Sequence, residues 1–208
     1  MVLNMKKAPV LLIALLSLGS ASLTASAQTS LVNLGSTNFT VDFDATTIAY
    51  SQSSTNLTLN PPITLGDTLG GVFSTAANWS AYTNTNTYTF GLFMSAPGAS
   101  PGIGFTIEFY NGALDGIVNS YQGVASGLGT NPAFPTFIAL DLSLAGTGDL
   151  SSIGGLQFTW MGAGTGTVVV DSVGVAVVPE PSTWAMLTLS VALLGGLALR
   201  RRLAAVRS

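Results

Sequence analysis

An all-β body, folded as an antiparallel β-sandwich of jelly-roll type, is what the sequence predicts for residues 28–177, and three observations lead there. Apolar residues recur at every second position in several short runs, the period of a strand with one buried face. The 21 glycines of this stretch, with abundant Thr, Ser and Asn, punctuate those runs as turns do. No segment of the body repeats its apolar residues at the helical period. A β-solenoid fits less well, because the body shows no internal repeat of fixed length.

The elements follow in order from that alternation. Strands are expected at Phe39–Phe43, Asn56–Leu59, Gly71–Ser74 and Thr87–Ser95. In "IGFTIEFYN", Ile103, Phe105, Ile107 and Phe109 share one face, and Thr106, Glu108 and Tyr110 the other. "TFIALDLSL" places Ile138, Leu140, Leu142 and Leu144 inward. "LQFTWM" points Leu156, Phe158 and Trp160 to one side, and "TVVVDSVGVAVV" reads as a long closing strand bent near Gly174. About eight to ten strands at this spacing suit two packed sheets.

Charge is sparse and segregated. Lys6 and Lys7 stand at one end, and Arg200, Arg201, Arg202 and Arg207 at the other. Between Gln28 and Val178 there is no Lys or Arg, against seven aspartates and one glutamate, a net charge of −8. A body without a cation cannot neutralise phosphates, which excludes nucleic acid as a partner. With no cysteine anywhere, the domain has no disulfide and must stand on its core.

The two ends read as addresses. Lys6-Lys7, the apolar stretch Ala8–Leu18 and the small residues Ala25-Ser26-Ala27 form the three parts of a secretory signal peptide over residues 1–27. Signal peptidase is expected to cut between Ala27 and Gln28, with Ala25 and Ala27 as the small residues it requires. At the other end, Ser182–Leu199 carries no charge, and as a helix would span about 27 Å, enough for a bilayer core. Arg200-Arg201-Arg202 would stop that helix on the cytoplasmic side. Pro179 and Pro181 keep the preceding chain extended and out of the helix.

This ordered tail over residues 178–208, Val178-Pro179-Glu180-Pro181-Ser182 followed by an apolar helix and an arginine cluster, resembles the PEP-CTERM sorting signal of Gram-negative bacteria. The resemblance implies recognition of Pro179, Glu180 and Pro181 by a membrane-embedded exosortase. It further implies passage through the inner membrane as an intermediate, removal of the helix, and delivery to the cell surface or an exopolysaccharide matrix. The body, from "GGVFSTAANWSAYTNTNTYTFGLFMS" to "GLQFTW…VVVDSVGV", is similar in strand patterning to the galactose-binding-like jelly rolls of carbohydrate-binding modules.

Catalytic chemistry has little to draw on. Without His or Cys there is no Ser-His-Asp triad, thiolate nucleophile or imidazole metal ligand. A glycosidase needs only two carboxylates, and Glu108 is the candidate acid. The expected function is non-catalytic: an exported surface or matrix protein associated with exopolysaccharide. The alternative is a carbohydrate-binding module, with Trp79, Tyr82 and Tyr88 as an aromatic platform for sugar C–H faces in an Asn/Thr-rich region. A glycoside-active enzyme stands third. Asp42 and Asp44, two apart on one strand face, with Asp171 on the closing strand, are the candidate Ca²⁺ ligands, since a hard cation takes oxygen donors.

Overall fold

The computed structural model describes residues 27–42 and 47–178. Ala25, Asp44, the Pro179-Glu180-Pro181 motif, the expected transmembrane helix and Arg200–Arg202 lie outside the described residues.

The described chain forms twelve strands: β1 (Gln28–Asn33), β2 (Phe39–Val41), β3 (Tyr50–Gln52), β4 (Leu57–Leu59), β5 (Thr68–Ala77), β6 (Tyr88–Ser95), β7 (Ile103–Asn111), β8 (Ile117–Ala125), β9 (Thr136–Ala139), β10 (Asp141–Ala145), β11 (Ile153–Trp160) and β12 (Val168–Val177). They make two six-stranded sheets in which every pairing is antiparallel. Sheet A runs β3-β4-β12-β6-β9, with β1 also paired to β12; sheet B runs β10-β8-β7-β11-β5-β2. The predicted all-β jelly-roll sandwich is the observed fold.

Sheet A is organised by its last strand. β12 pairs with β6 along one edge and with β4 and then β1 along the other. The first and last strands of the body therefore lie side by side, Gln28 opposite Ala176, and the Val177 amide donates to the Ala27 carbonyl at 3.0 Å. Sheet B is organised by β11, held between β7 and β5. All twelve strands of the described residues lie between Gln28 and Val177.

Alternation sets the core. Phe105, Ile107 and Phe109 of β7 and Leu156 and Phe158 of β11 are fully buried, as their period-two pattern requires. They meet Leu92 and Met94 of β6 and Val170 and Val173 of β12, also fully buried, across the sandwich. At one end of this core Trp79 stands edge-on to Phe109, ring centroids 5.1 Å apart, and packs on Phe73 and Phe90 at 6.0 and 5.8 Å.

One expectation is corrected. "TFIALDLSL" is not one strand with four inward residues: it breaks at Leu140, where the chain leaves sheet A as β9 and enters sheet B as β10. Leu140 is buried and its amide donates to the Phe90 carbonyl at 2.9 Å, whereas Leu142 and Leu144 are exposed. Changing sheets resets which side is inward, and the register shift between Leu142 and Leu144 on this edge strand breaks the period again. The closing strand has an irregularity on each edge: against β6 between Val170 and Ser172, and against β1 at Gly174, where Ser30 and Val32 stand opposite Gly174 and Val173. Gly174 also makes room for an aromatic ring on the outer face of sheet A: a Cβ there would lie 2.5 Å from Phe93 Cε2 and 2.7 Å from the Thr29 carbonyl oxygen.

Two changes test this packing. Trp79→Ala is expected to cost about 3–5 kcal/mol, the range for deleting a buried aromatic, measured by chemical denaturation of residues 28–178. Gly174→Ala, forced against both Phe93 and a backbone oxygen, is expected to cost about 1–3 kcal/mol in the same assay.

Candidate functional site

The inward alternation of sheet B leaves an outward set that is polar and laterally aligned. On β7 the outward residues are Thr106, Glu108 and Tyr110, each half-buried. Backbone register carries two rows across the neighbouring strands. Glu108 stands opposite Gln157 of β11 and Ser120 of β8. Thr106 stands opposite Thr159 of β11 and Gln122 of β8, and Gln122 in turn opposite Asp141 of β10. Paired residues in an antiparallel sheet project from the same face, so these side chains form two parallel rungs. The longer rung extends through Thr159 to Thr68 on β5; at the usual strand spacing its five strands span about 19 Å.

Glycines leave gaps between these side chains. Gly104 precedes Thr106 on the outward side of β7, Gly155 faces Tyr110 from β11, and Gly70 faces Gln157 from β5. The Tyr110 hydroxyl donates to Glu108 Oε2 at 2.9 Å, tying the one aromatic on this face to its central carboxylate. Burial, the hydrogen bond to Glu108 and the charge of Glu108 together push the Tyr110 phenol up to about 12. Ser143 Oγ donates to Ser120 Oγ at 3.1 Å and fixes the hydroxyl beside Glu108.

The face thus offers amide donors, carboxylate and hydroxyl acceptors, hydroxyl donors and one tyrosine ring, and no cation. That set suits a ligand dense in hydroxyl groups, each of which both donates and accepts. Acid–base chemistry finds less support. Glu108, the candidate acid, has an amide and a hydroxyl as its cross-strand neighbours rather than a second carboxylate. Asp141 is the other carboxylate on these rungs, two strands and one rung away, about 12 Å between backbone positions.

Several residues expected at a site stand elsewhere. Trp79 is 2 % exposed and wholly engaged in the core, so it has no free ring face for a sugar. The cause is local: the chain turns at the end of β5 into a short 3₁₀ segment, Ser80–Tyr82, and the Trp79 amide donates to the Leu150 carbonyl at 2.7 Å, which faces the indole inward. Tyr82 and Tyr88 are half-buried and packed edge-on at 5.1 Å, near the Val178 end of the body, where the Val178 amide donates to the Thr87 carbonyl. They are not on the outer face of sheet B.

Of the candidate calcium ligands, Asp42 and Asp171 stand on different sheets. Asp42 follows β2 at the edge of sheet B, its amide donating to the Gly70 carbonyl, while Asp171 is on β12 of sheet A. The first and last strands do meet, but the first strand is β1, which carries no carboxylate. Among the described residues no three acidic side chains gather as a metal site. Burial raises the Asp171 pKa, the Ser172 hydroxyl opposing that shift only in part. Asp67 is structural: its carboxylate accepts the Thr64 amide at 2.7 Å and the Thr47 hydroxyl at 3.2 Å, and the Thr64 amide bond leads in lowering its pKa.

Gln122, Gln157, Thr159 and Asp141 were not among the site residues expected from sequence. The alternation in "LQFTWM" shows Gln157 and Thr159 turned outward, yet nothing in it says that β11 lies beside β7.

The architecture is a jelly-roll sandwich with a hydrogen-bonding face on one sheet. Residues 177–202 match the PEP-CTERM protein-sorting motif, a signal that implies export and processing by an exosortase; Pro179, Glu180, Pro181 and Arg200–Arg202 all fall within the match. No curated protein matches the chain in sequence. Among solved structures, a family 30 carbohydrate-binding module is similar at 15 % identity, covering 73 % of this chain and 99 % of that one, with a TM-score of 0.42. A family 11 carbohydrate-binding module of a cellulosomal cellulase of Clostridium thermocellum is similar at 15 % identity, covering 76 % and 98 %, with a TM-score of 0.44. An agarase is similar at 12 % identity over 75 % of this chain and 26 % of its own, with a TM-score of 0.44. At these values no activity or ligand transfers from those proteins.

The Tyr110–Glu108 pair gives a pH test. A phenol whose folded pKa lies above its unfolded value of about 10 stabilises the fold in its protonated form. That contribution is complete below about pH 10 and is lost as pH rises through about 12. Titration of the Tyr110 ring carbon by NMR is expected to show a midpoint near 12 in the native protein and a lower one in Glu108→Gln. Burial, the first of the causes, persists in the variant, so its midpoint moves only part of the way back.

Proposed function

We propose that the body is a non-catalytic polysaccharide-binding domain, exported and sorted to the cell surface or extracellular matrix, and that it holds its ligand across the outer face of sheet B. The observation that carries this reading is the pair of aligned rungs, Ser120–Glu108–Gln157 and Asp141–Gln122–Thr106–Thr159–Thr68. A run of sugar rings laid along such rungs meets a donor or acceptor on each strand. Fixed strands hold those groups without the ordering cost that a loop would add.

Charge narrows the ligand. Glu108 and Asp141 lie on the face, and the body between Gln28 and Val178 has no Lys or Arg to offset them. Uronate or sulfate groups would meet uncompensated carboxylates, so the polymer is neutral. The acidic balance has a second effect, keeping exported copies apart and soluble.

The test is affinity electrophoresis of residues 28–178 through gels containing neutral glucans or mannans, or the anionic polymer alginate. Retardation by at least one neutral polymer, and none by alginate, is expected. Glu108→Ala and Gln157→Ala are each expected to weaken binding about tenfold, the scale for losing hydrogen bonds to a charged or buried partner. Thr89→Ala, on sheet A, is expected to leave it unchanged. Alginate binding as strong as glucan binding, or indifference to both face substitutions, would contradict the proposal.

A further inference from the structure

One end of the outer face of sheet B differs in chemistry from the rest. One step along β7 from Thr106, the outward residues become Val124 on β8, Gly104 on β7 and Met161 just past β11. Val124 is Gly104's cross-strand partner, and the Met161 amide donates to the Gly104 carbonyl at 2.8 Å, so the two apolar side chains flank the glycine. Both are open to solvent, Val124 at 51 % and Met161 at 55 %. Together with Ile138, Gln122 and Asp141 they line a shallow groove with Gly104 as its floor. A Cβ on Gly104 would sit 3.6 Å from Met161 Cβ, narrowing the space between the walls.

A single exposed apolar side chain is ordinary. Here, two flank a glycine at the end of a polar rung, with an amide and a carboxylate at the mouth. A bare hydroxyl placed between Val124 and Met161 would lose water and gain no partner, a net cost. A methyl group there loses nothing and removes apolar surface from water. Gln122 beside it carries an amide donor for a carbonyl oxygen, and Asp141, acceptor only when ionised, suits a neighbouring hydroxyl.

We propose that this groove is a subsite for an O-acetyl group on the bound polysaccharide. The acetyl methyl lies between Val124 and Met161 over Gly104, and its carbonyl oxygen accepts from the Gln122 amide. The subsite rests on the reading that the outer face of sheet B binds a neutral polymer, and it makes that polymer an acetylated one.

The test compares residues 28–178 on two forms of one polymer, O-acetylated glucomannan and the same sample after mild alkaline deacetylation. The acetylated form is expected to bind about tenfold more tightly, the scale for one small apolar group in a fitted pocket. In Val124→Ser/Met161→Ser that ratio is expected to fall close to one, with circular dichroism confirming an intact fold. Equal affinity of the parent protein for the two forms overturns the subsite while leaving the binding face standing. A preference that survives the double substitution overturns it as well. Failure to bind either form, or any neutral polymer of the wider panel, overturns both readings.

Discussion

Burial of the inner faces of the two sheets against each other carries this fold, because the body has no cysteine for a disulfide and no lysine or arginine for an ion pair. Stability has to come from apolar contact and from the antiparallel ladders that hold the apolar residues in register. The interior is correspondingly aromatic: Phe39, Phe73, Trp79, Phe90, Phe109 and Tyr121 follow one another at centroid distances of 5.1 to 6.2 Å. Each ring committed to that chain is unavailable to a ligand. The outer face of sheet B carries Thr, Gln, Ser, Glu and Asp with a single Tyr, and no aromatic platform.

How much was legible in advance divides along a physical line. Alternation is local, so the inward sets of β7 and β11 could be read from nine and eight residues each. β8 was missed because polarity in "IVNSYQGVA" does not follow its faces: Asn119 turns inward with Tyr121, its amide donating to the Tyr121 hydroxyl at 3.1 Å within the core, while Val124 turns outward. β1 was missed because "QTSLVN" is polar at its start and earns its place by pairing with β12. The chain's change of sheet at Leu140 is a tertiary event that no local pattern reports.

The site was harder to read than the fold for the same reason. Glu108 and Tyr110 were visible as outward residues of one strand, but a binding face is a property of strand order. Gln122, Thr106 and Thr159 are separated by long stretches of sequence and become neighbours only through the order β8-β7-β11. Trp79, a prominent aromatic in a polar segment, pointed to the surface by composition and to the core by geometry. The C-terminal sorting motif is the opposite case, being linear and complete in its own residues.

Backbone NMR of residues 28–178 during titration with a neutral oligosaccharide shows whether ligand lies across the outer face of sheet B. Shifts confined to β7, β8 and β11, centred on Thr106, Glu108, Gln122 and Gln157, are the predicted result. Shifts centred on Tyr82 and Tyr88, or on the outer face of sheet A, would contradict it.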